Sequence, residues 1–234
     1  MAGVDEGRTT RSGGAAFFDE VHGRIAAGDR AFHLIGTGAA TTEHVNRLPE
    51  VTHRRVWSTS DNPSIGSMRR GHRMTADAVA QGVDCRGLIS PAGLRVRLLP
   101  SMYHLEGAPG RVTPLAGALL LADDVLLVRG RRAGPQGPDY WRTEDAEVVR
   151  AAAETFLGLW ERATPVEDVA LLPLLDARSL EVAFAMMDGD TDAEIAARLG
   201  IGARTVQVAV RRVVDWCGAR NRTHAVALMA GSDA

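Results

Sequence analysis

Residues 191–222 carry the feature that most constrains how this chain can fold. Thr191 and Glu194 have the spacing of a capping box, in which a hydroxyl and a carboxylate each satisfy a backbone amide at a helix start. Two glycines follow in the segment LGIGA at residues 199–203, and they indicate a short turn. Valines then recur at helical spacing. The sequence therefore predicts two helices joined by a tight turn, which is a helix-turn-helix layout.

The second of these helices is predicted to have one apolar face and one basic face. At about 100° per residue, the positions that share the apolar side are Val206, Val210, Val213 and Cys217. Between residues 203 and 222 there are five Arg and one acid, although the whole chain has a formal net charge of −2. Positive charge gathered on one helix indicates contact with phosphates. A merely solvated face is the alternative, and the order of the helices favours DNA.

Individual DNA contacts can be assigned from this layout, because the second helix of such a motif enters the major groove. We expect Gln207 to pair with adenine, Arg211 with guanine, and Val208 to contact a thymine methyl. Phosphate contacts that position the protein are expected from Thr191, Arg204, Thr205, Arg212 and Arg222. The acids Asp188, Asp190, Asp192 and Glu194 lie near the expected DNA backbone, and they should weaken phosphate contact.

Residues 175–230 resemble the four-helix DNA-binding domain of LuxR/NarL-type transcription regulators. The matching positions include Arg178, Glu181, Val182, Gly189, Glu194, Ile195, Ala196, Leu199, Gly200, Arg204, Thr205, Val206, Gly218, Ala219 and Arg222. The resemblance implies that residues after the Thr-Val pair contact bases, and that the last helix forms a dimer contact. The dimer contact is carried over to Thr223, Val226, Ala227 and Met229. Gly202 departs from the usual capping Ser or Thr, so a less firmly capped second helix is expected.

Proline positions predict two domains joined by a short linker. A long helix is expected over residues 143–163, with Thr143 as its N-cap, and Pro165 discourages its continuation. With a second proline at Pro173, the expected division is a first domain at 1–165, a linker at 166–174, and a second domain at 175–234. In the second domain Asp176 and Asn221 are predicted to cap further helices.

Alternating helix-like and strand-like segments predict an α/β or α+β sheet in the first domain, against an all-α second domain. Helices are expected at residues 15–29 and 67–82. Strands are expected at 30–36, 54–60, 83–89 and 93–100, and as a hairpin around Asp123 and Asp124. Residues 131–141 contain glycines and prolines that are typical of a loop.

Four segments of this domain, at residues 78–90, 92–100, 118–128 and 154–165, resemble the phospholipase D-like, TrmB-type sensor domain of some actinobacterial LuxR regulators. The helix that normally separates the first two strands is missing, because only Ser90 and Pro91 lie between them. The resemblance implies a non-catalytic domain that binds a small-molecule effector or mediates contacts. Its enzymatic alternative is a phosphodiesterase with a His-x-Lys-x4-Asp motif. The nearest approach is His53 and Arg55, with Asp61 one position too late.

Composition excludes several other classes. All 27 basic residues are Arg, and a receiver domain, a P-loop or a Schiff-base enzyme requires Lys. Two Cys residues and seven scattered His residues predict neither a metal site nor a disulfide framework. No cofactor, signal peptide or membrane span is expected.

Two weaker patterns have plainer alternatives. Gly36 and Gly38 approach a dinucleotide fingerprint, but Thr41 replaces its third glycine, which favours a strand-end turn. A basic cluster that could hold an anionic effector, or form a solvated helix face, consists of Arg69, Arg70, His72 and Arg73.

The sequence therefore predicts a cytoplasmic, homodimeric regulator that binds double-stranded DNA, responds to an effector or partner through its first domain, and has RNA polymerase as a further partner. The two alternatives are the phosphodiesterase and a protein-interaction module that resembles a sigma-factor region.

Overall fold

One mixed sheet of eight strands dominates the amino-terminal part of the chain. The computed structural model describes residues 14–37, 53–63, 65–134 and 137–231. The strands are β1 (His33–Thr37), β2 (Arg55–Ser60), β3 (Asp84–Ile89), β4 (Gly110–Val112), β5 (Leu119–Ala122), β6 (Val125–Gly134), β7 (Gly137–Thr143) and β8 (Thr164–Pro165). Their order is β1-β7-β6-β5-β2-β3-β4-β8. β2, β3 and β4 run parallel, and the other neighbours are antiparallel.

Four α-helices accompany the sheet and four more follow it within the described residues. The first group is α1 (Ala15–Ala26), α2 (Ile65–Ala80), α3 (Leu99–Glu106) and α4 (Ala146–Arg162). The second group is α5 (Ala177–Asp188), α6 (Asp192–Leu199), α7 (Ala203–Trp216) and α8 (Arg222–Met229). The prediction of a mixed sheet domain followed by an all-helical domain is confirmed.

The two faces of the sheet enter different cores because neighbouring residues of a strand point to opposite sides. In β3, Leu88 belongs to a core with α1 and α4, whose largest fully buried side chains are Phe18 and Phe156. The next residue, Ile89, belongs to a second core with Leu99 and Tyr103 of α3. Helices therefore cover both faces of the sheet.

Three local predictions for this domain are wrong. Residues 93–100, expected as a strand, form the end of a 3-10 helix (Pro91–Arg95) and the start of α3. Residues 131–141, expected as a loop, belong largely to the long antiparallel pair β6 and β7. The N-cap of α4 is Asp145, whose carboxylate accepts from the amides of Glu147 and Val148. Thr143 instead ends β7, where it is buried.

The predicted caps of the helical domain are all present. Asp176 accepts from the Ser179 amide, and Asn221 accepts from the His224 amide. Beyond these predictions, Gly189 ends α5 in the left-handed region at φ 87°. Thr191 and Glu194 form the capping box. These local signals fix the limits of the helices.

The helical domain shares its core with the sheet domain. Leu98 and Met102, at the start of α3, are completely buried together with Val182 and Met186 of α5. The backbone amide of Leu175 donates to Ser101 Oγ at 2.9 Å. The predicted linker begins inside the fold, because Val166–Val169 forms a 3-10 helix whose first residue is fully buried. The extended connection is thus confined to the residues just before Asp176.

Within the described ranges, no helix offers a continuous apolar stretch that could span a bilayer.

Candidate nucleic-acid interface

The turn between α6 and α7 is set by two glycines with different tasks. Gly200 ends α6 at φ 63°, in the left-handed region that favours glycine, and Ile201 then donates to the Ala196 carbonyl at 3.1 Å. Gly202 begins α7 with extended backbone, at φ −70° and ψ 150°, and makes no side-chain cap. The first helix is therefore closed by a capping box, whereas the second begins without one.

The two faces of α7 differ as the valine spacing predicts. Val206 and Val213 are completely buried, and Ala209 is buried with them. The opposite face is exposed and comprises Arg204, Thr205, Gln207, Val208, Arg211 and Arg212. Val208 is 58% exposed and belongs to the four large hydrophobic side chains that are exposed among the described residues. The surface of α7 that carries the expected base contacts is thus open to solvent although its domain is packed against the sheet domain.

The exposed arginines of α7 are held only loosely. Arg211 lies 3.9 Å from Asp215 on the same helix, with 85% of its side chain exposed. Arg212 lies 3.5 Å from Asp176, and both of these side chains are more than half exposed. Exposed ion pairs of this geometry contribute at most about 1 kcal/mol. A phosphate or a guanine could therefore replace either carboxylate at little cost.

Beside these arginines is an open groove of about 510 Å³. It is lined by Val208, Arg211, Arg212, Asp215 and Trp216. The Trp216 indole donates to the Pro173 carbonyl at 2.7 Å, which ties the end of α7 to the connection between the domains. Trp216 is not among the residues predicted from the sequence, although its place on the last turn of the basic helix is a usable signal.

The three aspartates near the turn are paired with arginines, and no local sequence pattern indicates these pairs. Arg198 donates to Asp188 at 2.8 Å and to Asp190 at 2.9 Å. Arg222 donates to Asp192 at 2.7 Å. Asp188 also accepts from Arg69 of α2, and this hydrogen bond, assisted by Arg198, lowers the pKa of Asp188 to about 2. The expected repulsion of phosphate by these carboxylates is therefore reduced.

The remaining predicted residues, which are expected to contact DNA or a second copy, differ in how exposed their side chains are. Arg222 is half-buried and also donates to the Asp190 carbonyl, so in this arrangement its guanidinium is directed at the turn. Thr191 and Thr223 are exposed, and Val226 and Ala227 are half-buried. Met229 is completely buried in the core of its own domain. Its side chain is therefore not available to a second copy, and the expected dimer contact is limited to the other three residues.

Part of the basic cluster of α2 serves the fold. The Arg69 guanidinium pairs with Asp188 and lies 4.8 Å from the centroid of the Phe184 ring. His72 Nδ1 lies 2.8 Å from Glu106 Oε1, and the imidazole meets the Phe184 ring edge-on at 5.7 Å. At Arg69 and His72 the structure therefore shows neither a solvated face nor groups left for an anionic effector, because both side chains have partners within the fold. The side chains of Arg70 and Arg73 lie outside the described part of the structure, as do Gly38 and Thr41.

The residues closest to a phosphodiesterase motif do not meet. His53 precedes β2 and lies 3.3 Å from Asp123, while Arg55 stacks 4.9 Å from the Trp57 ring. Asp61 follows the other end of β2 and pairs with Arg129. Six strand residues separate the two ends by about 17 Å. Among the described residues, no group of three His, Cys, Asp or Glu side chains could hold a metal ion.

Comparison with known proteins identifies one domain of the chain. Residues 174–229 match the family model of bacterial regulatory proteins, luxR family. The curated proteins include no significant match to the chain. The carboxyl-terminal bundle is thus a luxR-family domain, and the basic helix α7 is the second helix of its helix-turn-helix motif.

Solved structures similar to this chain come from several kinds of protein. TrmBL2, an archaeal chromatin protein, is 17% identical, with a TM-score of 0.46, and the match covers 62% of this chain and 60% of the TrmBL2 chain. Nuc, a phospholipase D family member from Salmonella typhimurium, is 10% identical, with a TM-score of 0.45 over 57% of this chain and 96% of its own. The LuxR-type receptor VqmA of Vibrio cholerae is 17% identical, with a TM-score of 0.24 over 48% of this chain and 46% of its own. The chain therefore spans about 60% of TrmBL2 and less than half of VqmA.

Proposed function

We propose that this protein is a sequence-specific DNA-binding transcription regulator that contacts the major groove with α7. The observation that carries the proposal is the exposed face of α7, where Arg204, Arg211 and Arg212 stand beside Gln207 and Val208. The face belongs to a luxR-family domain, and its arginines have only loose partners. Such a surface suits a polyanion with a readable groove.

Each of the eight expected DNA-contact residues has a proposed role. Gln207 and Arg211 donate to adenine and guanine, and Val208 contacts a thymine methyl. Phosphates are bound by residues on both helices and at the start of α8, namely Thr191, Arg204, Thr205, Arg212 and Arg222. Arg222 would have to leave Asp192, or bind phosphate from its present position, whereas Arg212 needs only to release an exposed carboxylate.

The protein is further proposed to act in the cytoplasm as a homodimer. Thr223, Val226 and Ala227 of α8 would form the contact, so that two copies of α7 meet half-sites about one helical turn apart. An effector or a protein partner bound by the sheet domain would shift the population of arrangements that presents the two bundles correctly. RNA polymerase is the partner through which DNA binding would change transcription.

Capture of fragmented genomic DNA by the purified full-length protein, followed by gel shift with competitor DNA, tests this function. We expect enrichment of fragments that share a two-fold symmetric sequence. Arg212→Ala should weaken binding to every fragment and reduce the slope of log K against log salt by about 1, because one phosphate contact is lost.

Arg150→Ala provides the matched control, because Arg150 is an exposed helical arginine paired with Glu154 at 2.8 Å on the sheet domain. It should leave both affinity and salt slope unchanged. Failure of the wild-type protein to bind any duplex at low salt would exclude the proposal, and an unchanged slope in Arg212→Ala would remove Arg212 from the phosphate contacts.

A further inference from the structure

One cation in the helix-turn-helix charge network comes from the sheet domain. Arg69 of α2 donates through both terminal nitrogens to the two oxygens of Asp188, the last residue of α5. The same guanidinium lies over the Phe184 ring one turn earlier on α5. The contact is therefore bidentate and stacked, a geometry that Arg achieves and Lys does not.

From Asp188 the network continues to the turn that precedes α6. Arg198 Nη1 donates to both Asp188 and Asp190, so these two carboxylates share one nitrogen and lie well within a Debye length of about 8 Å. The next residue after Asp190 is Thr191, an expected phosphate contact. The charge on Asp188 is therefore close enough to influence a phosphate bound at the start of α6.

A charge count shows why Arg69 matters. The end of α5 and the first turn of α6 contain Asp188, Asp190, Asp192 and Glu194. Arg198 and Arg222 are the cations that the bundle itself places on the three aspartates, and Arg69 is the third. If the bundle separated from α2, it would keep all four acids and lose one of these three arginines.

We propose that Arg69 is a positioning residue for DNA binding, which compensates Asp188 and thereby makes DNA affinity depend on the docking of the bundle against the sheet domain. This inference rests on the proposed function and extends it to regulation. In the docked arrangement the contact face of α7 is open, so the sheet domain does not mask it. The sheet domain supports DNA binding through the charge of Arg69. A ligand or partner that lifts α5 from α2 would leave an uncompensated carboxylate beside the DNA backbone and weaken binding.

A charge cycle tests the inference in the full-length protein. Binding is measured by fluorescence anisotropy at low salt with a fluorescein-labelled duplex of random sequence, since non-specific binding depends on phosphates. Arg69→Gln should bind about threefold to fivefold more weakly, the size of one screened charge interaction. Asp188→Asn should bind at least as tightly as wild type, and Arg69→Gln/Asp188→Asn should recover wild-type affinity. Arg69→Lys should keep most of the affinity, because it keeps the charge.

A purely structural role for Arg69 predicts a different pattern. In that case Asp188→Asn would weaken binding as Arg69→Gln does, and the double variant would not recover, which would overturn the inference. The matched control is Arg131→Gln, which removes an exposed ion pair with Asp19 elsewhere on the sheet domain and should change nothing. Thermal unfolding of each variant identifies any that fail to fold, and Asp188→Asn still decides the question if Arg69→Gln is one of them.

Failure of the inference differs from failure of the proposed function. If wild type binds the duplex and Arg69→Gln binds equally well, only the role of Arg69 is excluded. If wild type binds neither this duplex nor any genomic fragment at low salt, the DNA-binding function itself is excluded, and the inference is excluded with it.

Discussion

The arginines of α7 and those that cross the sheet show two uses of the same side chain in one molecule. On the sheet, Arg55 and Arg86 stack against the Trp57 ring at 4.9 and 5.2 Å, and Arg86 and Arg111 stack against Trp160 at 5.5 and 4.6 Å. Each also donates to a fixed oxygen, such as Arg86 to Asp84 at 2.9 Å. On α7, Arg211 and Arg212 have only distant, exposed carboxylates.

The starts of the two helices of the helix-turn-helix motif also differ in whether their polar groups have a fixed partner. The first amides of α6 are satisfied by the capping box, whereas α7 begins at Gly202 without a side-chain oxygen. The difference teaches that composition alone does not identify a binding surface. In a chain whose basic residues are all Arg, the arginines available to a ligand are those that the fold leaves without a good partner.

The largest expected effect is on stability, and it is expected at Trp57, the ring on which Arg55 and Arg86 stack. Trp57 is buried, stacks on Phe156 with ring centroids 5.0 Å apart, and donates to Asp84 at 3.1 Å. Trp57→Ala should lower the free energy of unfolding by about 3–5 kcal/mol, because a large cavity opens and two guanidinium groups lose their ring. Urea denaturation followed by circular dichroism measures this loss.

Trp57→Phe is the control, because it keeps an aromatic ring and removes the hydrogen bond to Asp84, and it should lose much less stability. A loss below about 1 kcal/mol in Trp57→Ala would mean that the stack contributes little to the fold. In that case the contrast with α7 would disappear.

A smaller effect, on DNA binding instead of stability, is expected at Arg211. Arg211→Ala should weaken binding to the specific site by about 1–3 kcal/mol and relax base preference at one position, because a bidentate contact to guanine is lost. Stability should change by less than about 0.5 kcal/mol, since the side chain is almost fully exposed. Binding to a panel of single-base operator variants, together with thermal unfolding, measures both quantities.

Arg86→Ala makes the same chemical change among the stacked arginines. In contrast to Arg211→Ala, it should lower the free energy of unfolding by about 1 kcal/mol and leave DNA affinity unchanged. An equal loss of affinity on every base variant in Arg211→Ala would show that Arg211 contacts phosphate instead of a base.

The helical domain could be predicted from the sequence because its signals are local. A cap, a glycine or a valine spacing lies within a few residues of the structure that it specifies, and Asp176, Thr191 and Gly200 act in the structure as their positions predict. Seven of the eight expected DNA-contact residues are exposed, and the eighth, Arg222, is half-buried. The DNA roles of these eight residues stay predictions.

The sheet domain is harder to predict from the sequence, because the structure of its segments depends on residues that are far away along the chain. The alternating residues 93–100 favour a strand, but Leu98 packs into the core of the bundle while Leu99 packs into the core beneath the sheet. A short irregular segment between two cores can thus imitate strand alternation. The glycines and prolines of residues 131–141 favour a loop, yet β6 extends to Gly134 and β7 begins at Gly137, and the two strands pair with a shift in register.

The docking of the two domains could not be predicted by the same reasoning. Arg69 and Asp188 are 119 residues apart, and neither residue has a local pattern that indicates its partner. The residue types of the basic cluster on α2 therefore favour an effector site or a solvated face, and they do not indicate this ion pair. The sequence contains the charges of the network, but only the packing of α5 against α2 and α3 brings them together.

The smallest expected effect tests the amino end of α7, where the polar groups of the backbone lack a side-chain cap. Gly202 has extended backbone, and a Cβ added there would meet nothing within 4 Å, so a serine fits without strain. Gly202→Ser should raise the free energy of unfolding by a few tenths of a kcal/mol (about 0.3), because its hydroxyl can accept from an amide of the first turn. Gly202→Ala adds the same carbon without the oxygen, and it should lower stability relative to Ser. Thermal unfolding of the three proteins separates the two contributions. A gain in Gly202→Ala equal to that in Gly202→Ser would show that the amide needs no cap, and that backbone entropy alone limits the stability of this helix start.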